Sequence, residues 1–193
     1  MSLTPRHDYE PRPGAGPRLP PLDPDQCDAQ QREVLEPLLV GATRNIYLTL
    51  VRAPEVARTM TTFGRTVRGE SLTARHRETL ILRTGWNCRS NYEFAQHRRI
   101  ALAAGMDEAD VQRIIDGPEA DGWDAVERTL CRLADELHHD NAVSDATWDA
   151  LAAVYSEPQL VQAVLLVGYY HLVSFGLNAF RVPLESGAVG FAD

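Results

Sequence analysis

From about residue 26 onward, apolar positions recur with the period of an α-helix, and no stretch alternates with the period of two that a half-buried strand needs. Val34, Leu35, Leu38 and Leu39 form one helical stripe over residues 31–40. Pro54 suits the first turn of a second helix running to about Arg68. Thr73 reads as the N-cap of a third, which carries Glu78, Leu80, Ile81 and Leu82 and weakens near Gly85. A fourth spans Ser90 to Ala104 with Gly105 closing it, and a short fifth opens at Asp107 and stops at Gly117-Pro118. Val126, Leu130, Leu133 and Leu137 mark an amphipathic helix over residues 123–138, and Ser144 caps another over residues 145–154. Ser156-Glu157-Pro158 starts the longest, which continues to Phe180 before Pro183. The pattern predicts an all-α fold with at least six helices and no sheet of three or more strands.

The last helix is apolar nearly all round, from Leu160 through Leu166 and Tyr170 to Phe175, so it must be buried on more than one side. That predicts a bundle centre that also forms a subunit interface. Its most apolar stretch, residues 163–173, is about 11 residues long, short of the ~20 that span a bilayer, so a core helix is expected and no membrane association. Seven of the twelve prolines fall in residues 1–26, which excludes a helix or a central strand there. The division is therefore a Pro-rich arm, 1–26, and a helical domain, 27–193, with the arm expected to lie across a neighbouring subunit.

Charge narrows the possible partners. A formal net charge of −8 with dispersed acids argues against nucleic-acid binding, which needs clustered Lys and Arg. The N-terminus MSLTPRHDYE has no apolar run of the signal-peptide kind, and a cytoplasmic location is expected. Cys27, Cys88 and Cys131 are odd in number and far apart, and imply neither a disulfide framework nor a zinc motif.

The chemistry concentrates in residues 75–97. Helical spacing places Ser90, Glu93 and His97 on one face, and Glu78 reaches that face if the preceding helix packs antiparallel. A carboxylate beside an imidazole orients and charges it, and the imidazole titrates near neutral pH. The same i,i+4 pair is also an ordinary surface ion pair. One histidine without HExxH or Glu-x-x-His spacing does not make a metal set, so no metal or other cofactor is expected. His138-His139 falls at a helix end, where imidazoles favour the dipole, and His171 reads as a core histidine.

The string LTARHRETLILRTGWNCRSNYEFAQHRRIALAAGM, residues 72–106, resembles the central motif of the carboxymuconolactone decarboxylase / AhpD family, and GYYHLVSFGLNAFRVPLE resembles that family's final helix. The likeness runs over residues 30–185. Aligned on His97, the peroxidase branch's Cys-x-x-Cys-x-x-x-His falls on Ser90 and Glu93, its relay histidine on Tyr92, and its upstream glutamate on Glu78. The resemblance implies an AhpD-like helical bundle, assembly as a trimer or hexamer, and Glu78, Glu93 and His97 as catalytic groups. Ser90, Tyr92, Trp86 and Arg83 are the candidate substrate-binding groups. With neither motif cysteine present, two-cysteine peroxidase chemistry is not expected, because it needs a reactive and a resolving thiol. The remaining expectation is a lyase using acid–base chemistry on a small carboxylated lactone or related ring-cleavage product. The alternatives are an AhpD-like antioxidant protein with peroxiredoxin activity that uses Cys88, and a non-catalytic helical scaffold.

Overall fold

The structure, a computed structural model, describes residues 16–39 and 45–190. Among the described residues it is all-α, with no strand. A 3-10 turn at Pro24–Gln26 precedes α1 (Ala29–Leu35), α2 (Asn45–Leu50), α3 (Pro54–Val67), α4 (Ala74–Asn87) and α5 (Asn91–Ala103). Helices α6 (Glu108–Asp116), α7 (Ala125–His139), α8 (Asp145–Ala152) and α9 (Glu157–Phe180) follow.

Local chemistry sets most boundaries where the pattern puts them. Thr73 accepts from the His76 amide at 3.2 Å at the start of α4. Asp107 and Asp110 satisfy each other's amides at 2.8 and 3.1 Å, a reciprocal N-terminal box for α6. Gly105 and Gly117 take the positive φ, 92° and 95°, that follows a helix end. Helix α9 ends differently from the expected proline stop. Arg181 adopts a left-handed conformation at φ 54°, and the Val182 amide returns to the Leu177 carbonyl at 3.0 Å. The six-residue α2 has no counterpart in the apolar pattern, and the end of the expected 31–40 helix lies outside the described residues.

Helices α4 and α9 form the centre. Every residue of α4 from Glu78 to Gly85 is buried, and the helix packs against α5, α6, α7 and α9. Its threonines are satisfied within the helix: the Thr79 and Thr84 hydroxyls donate to carbonyls one turn back, at 3.0 and 2.8 Å. Helix α9 has the length and composition of a membrane span, yet it packs into the bundle against α3, α4, α5, α7 and α8. Its other side leaves Val161, Leu165, Leu172 and Phe175 exposed in one stripe at helical spacing.

The described part of the arm docks on the end of α9 of its own chain. The Arg18 and Leu19 amides donate to the Phe180 carbonyl at 2.9 and 3.3 Å, and the Arg18 guanidinium donates to the Ala179 carbonyl at 3.0 Å. These donors satisfy carbonyls that the end of α9 leaves open. Residues 1–15 of the arm lie outside the described residues.

Candidate active site

Three residues, Cys88, Arg89 and Ser90, turn the chain from α4 into α5 and make the two helices antiparallel neighbours. The Ser90 amide donates to the Gly85 carbonyl at 2.8 Å, and Asn178 of α9 pins the Cys88 carbonyl at 2.8 Å. This tight return brings Glu78 alongside His97. His97 Nδ1 lies 2.7 Å from Glu78 Oε2, with both side chains buried. Arg77 Nε donates to Glu78 Oε1 at 3.2 Å. Burial alone would raise the Glu78 pKa, but the charge and hydrogen bond of His97, helped by Arg77, outweigh it and hold the group below its ordinary value. Tyr170 meets the imidazole edge to face, with ring centroids 4.8 Å apart. Among the described residues nothing hydrogen-bonds His97 Nε2.

Glu93 is not the partner of His97 that the i,i+4 spacing suggests. One turn nearer the start of α5, it meets α9, and its Oε2 accepts from Ser174 Oγ at 2.9 Å. Its Oε1 is buried without a partner, against Gly85, where an added Cβ would stand 3.1 Å away. Burial pushes the Glu93 pKa well above the ordinary value, only partly offset by Ser174, which favours the protonated acid. A raised folded-state pKa gives stability that is full below the unfolded value of about 4.3 and is lost as pH climbs towards the folded value. Glu93→Gln, which cannot ionise, is therefore expected to be more stable than the parent at pH 8 and to flatten stability against pH between 5 and 8. Thermal denaturation at several pH values checks this, and an unchanged slope would refute it.

A cavity of about 90 Å³ opens beside these groups. Glu93, Gln96 and His97 line one side from α5, with Tyr92 beside them. Tyr169 and Tyr170 of α9 face them, and Tyr47, Thr61 and Arg68 close the rest from α2 and α3. Tyr169 comes close because position 64 is glycine: a Cβ there would stand 2.3 Å from its hydroxyl. Arg68 was not legible in the sequence. It sits at the end of α3, and its Nε donates to the Gly64 carbonyl at 3.0 Å. Its electrostatic neighbours are Tyr170, Tyr169 and Tyr47, and no carboxylate pairs with it among the described residues. Nothing in its spacing sets it apart from the other arginines, because the cavity it faces is built by helices distant in sequence.

The remaining candidates divide. Tyr92 lines the cavity, but its hydroxyl donates to Glu185 at 2.7 Å and accepts from the Ile46 amide at 3.3 Å, so its proton is already engaged. Ser90 is fully buried with an unpartnered hydroxyl and does not line the cavity. Trp86 packs on Phe94 and lines a separate, larger cleft of about 330 Å³ with Arg98 and Val111, away from His97. Arg83 does not face the cavity either. Its Nε and Nη2 hold Asp135 at 2.6 and 2.9 Å, and Nη1 donates to the Ile114 and Ile115 carbonyls at 2.8 and 2.9 Å. Cys88 is half-buried, and burial together with the nearby Glu93 pushes its thiol up to about 12, which leaves almost no thiolate near neutral pH.

Residues 54–136, from α3 to the last turns of α7, match the carboxymuconolactone decarboxylase family. That segment carries Arg68, Glu78, Glu93 and His97. No curated protein sequence matches the chain. Among solved structures, an uncharacterised peroxidase-related protein from Ralstonia eutropha JMP134, described as an alkylhydroperoxidase AhpD core, superposes with a TM-score of 0.75 at 16% identity, covering 88% of this chain and 93% of that one. A putative antioxidant defence protein AhpD from Agrobacterium tumefaciens gives 0.66 at 17% identity, covering 70% and 94%. The debrominase Bmp8 gives 0.72 at 16% identity, covering 87% and 92%. At these identities the likeness is one of fold.

Proposed function

We propose that the chain, whose residues 54–136 match the carboxymuconolactone decarboxylase family on an AhpD-like fold, is an acid–base enzyme of that family acting on a small carboxylated lactone or related ring-cleavage product. The observation that carries this reading is the Glu78-backed His97 on a cavity that also holds Arg68, a guanidinium with no carboxylate partner among the described residues. Arg68 receives the substrate carboxylate in the planar, two-point manner guanidinium favours. Arg83, counted among the substrate-binding candidates, is engaged with Asp135 instead. His97 Nε2 carries the proton. In a decarboxylation the electron pair of the breaking C–C bond stays on the substrate as an enolate, carbon dioxide leaves, and the imidazolium returns a proton to carbon. In lactone opening or isomerisation the same nitrogen removes or supplies the proton. The Glu78 carboxylate stabilises the imidazolium, and Glu93, whose burial favours the protonated acid, offers a hydrogen bond to a substrate oxygen. The bound thiol proton of Cys88 supplies no argument for peroxidase chemistry.

Thermal-shift screening with muconate-type acids and carboxylated lactones tests the proposal. Ligands that bind the native state raise its apparent stability. A carboxylated ligand is expected to raise Tm by several degrees, its neutral amide analogue to have little effect, and Arg68→Met to abolish the response. A full response in Arg68→Met, or none to any acid in the parent, would overturn it.

We also propose a cytoplasmic location, in keeping with the three unpaired cysteines, and self-association as a trimer or hexamer. The exposed stripe of Val161, Leu165, Leu172 and Phe175 supports the latter. Light scattering at micromolar concentration is expected to give a multimer that Leu172→Glu dissociates, and a clean monomer in the parent would count against it.

A further inference from the structure

Away from the His97 cavity, three helices bring together three side chains that the sequence left unconnected. Cys88 caps the end of α4, His138 lies in the last turn of α7, and His171 lies in the middle of α9. His138 Nδ1 is 2.9 Å from His171 Nε2 and 3.9 Å from Cys88 Sγ, and the three atoms lie within 4.8 Å of one another. All three residues are half-buried. We propose that Cys88, His138 and His171 form a three-ligand site for Zn²⁺, with the fourth position open to water or a small ligand.

The donor set is that of a borderline-soft cation: one sulfur and two imidazole nitrogens. Tetrahedral zinc with ordinary bond lengths separates two nitrogens by about 3.3 Å and a nitrogen from a sulfur by about 3.6 Å. The observed 2.9 and 3.9 Å each stand about 0.3–0.4 Å from those values, and the Cys88–His171 pair, within 4.8 Å, is the one that side-chain rotation must bring closer. His171 is held in the right form. Its Nδ1 lies 2.9 Å from the Val167 carbonyl, which can only accept, so Nδ1 carries the hydrogen and Nε2 offers its lone pair to the cluster. Metal binding replaces the imidazole–imidazole hydrogen bond, moves the His138 hydrogen to its Nε2, and releases the Cys88 thiol proton to solvent.

The surroundings also favour a cation. The C-terminal ends of α4 and α7 both converge here, and each presents partial negative charge. Asn178 fixes the Cys88 backbone at 2.8 Å. His138 was expected to share a helix-capping role with His139. Only His139 takes it, through its Nδ1 contact with the Asp135 carbonyl at 2.8 Å, while His138 turns into the cluster.

Cobalt substitution in the full-length protein tests the site. After chelator treatment, Co²⁺ is expected to bind one ion per chain with a thiolate-to-cobalt charge-transfer band that added Zn²⁺ removes. Cys88→Ser should abolish the band, and His171→Asn should weaken binding at least tenfold, both with circular dichroism matching the parent, whereas His139→Asn should bind as the parent does. A second measurement needs no variant: Zn²⁺ should protect Cys88 from alkylation in the native chain. Absence of the band, a band that survives Cys88→Ser, or alkylation of Cys88 unchanged by Zn²⁺ would each overturn the proposal.

Discussion

Arg83→Met is expected to lower folding stability by about 3–5 kcal/mol, the range for removing one member of a buried, hydrogen-bonded ion pair. For a chain of this size that is a fall in Tm of about 6–20 °C. The residue is 8% exposed and joins α4 to both α6 and α7. Methionine fills much of its length but leaves the Asp135 carboxylate with only Asn87 Nδ2, at 2.8 Å, and leaves the Ile114 and Ile115 carbonyls without their donor. The exposed Arg132–Glu119 pair is the internal comparison. Its loss should cost no more than about 1 kcal/mol, because water and salt screen it. The double change Arg83→Met with Asp135→Leu should recover much of the loss, since the penalty comes largely from the stranded charge. Chemical denaturation measures all three, and an Arg83→Met variant as stable as the parent would show that the pair is dispensable.

Arg83 also shows where the sequence stopped being informative. Periodicity captured the helices that bury one face, such as α7, and the caps at Thr73, Asp107 and Ser144, because those signals are local. It missed how deeply α4 is buried, since a helix enclosed on all sides need not be uniformly apolar when its polar groups find partners. Spacing along α5 put Glu93 and His97 on one face, as observed, but could not say which neighbour each would meet. His97 reaches back to α4 and Glu93 across to α9, so the pair that couples is Glu78–His97. The contribution of Arg68 and the meeting of Cys88, His138 and His171 depend on helices that are distant from one another in the chain. No window of sequence contains such juxtapositions, and only packing creates them.

His97→Asn is expected to lower kcat/KM by about 10²–10⁴-fold, the usual contribution of a positioned proton-transfer group, in a variant whose circular dichroism matches the parent. The sharper variant is Glu78→Gln. Its amide oxygen can still accept from His97 Nδ1, so the ring keeps its orientation and its 2.7 Å contact, but the negative charge is gone. If Glu78 served only to aim the imidazole, this variant would keep most of its activity. If the carboxylate stabilises the imidazolium that forms when His97 removes a proton, as in lactone opening or isomerisation, kcat should fall steeply and KM little, because the lost interaction strengthens only as charge develops. The pH dependence follows from the lowered pKa of Glu78. The carboxylate persists below the ordinary carboxylate range, so its contribution to activity and to stability is fully present above the unfolded pKa, about 4.3, and disappears as pH falls through the lower folded value. The acid limb of the parent's pH–rate profile should therefore include a step below pH 4.3, seen with rapid assays before the chain unfolds, and Glu78→Gln should lack it. Equal rates for Glu78→Gln and the parent across that range would confine Glu78 to holding the ring and remove it from the chemistry.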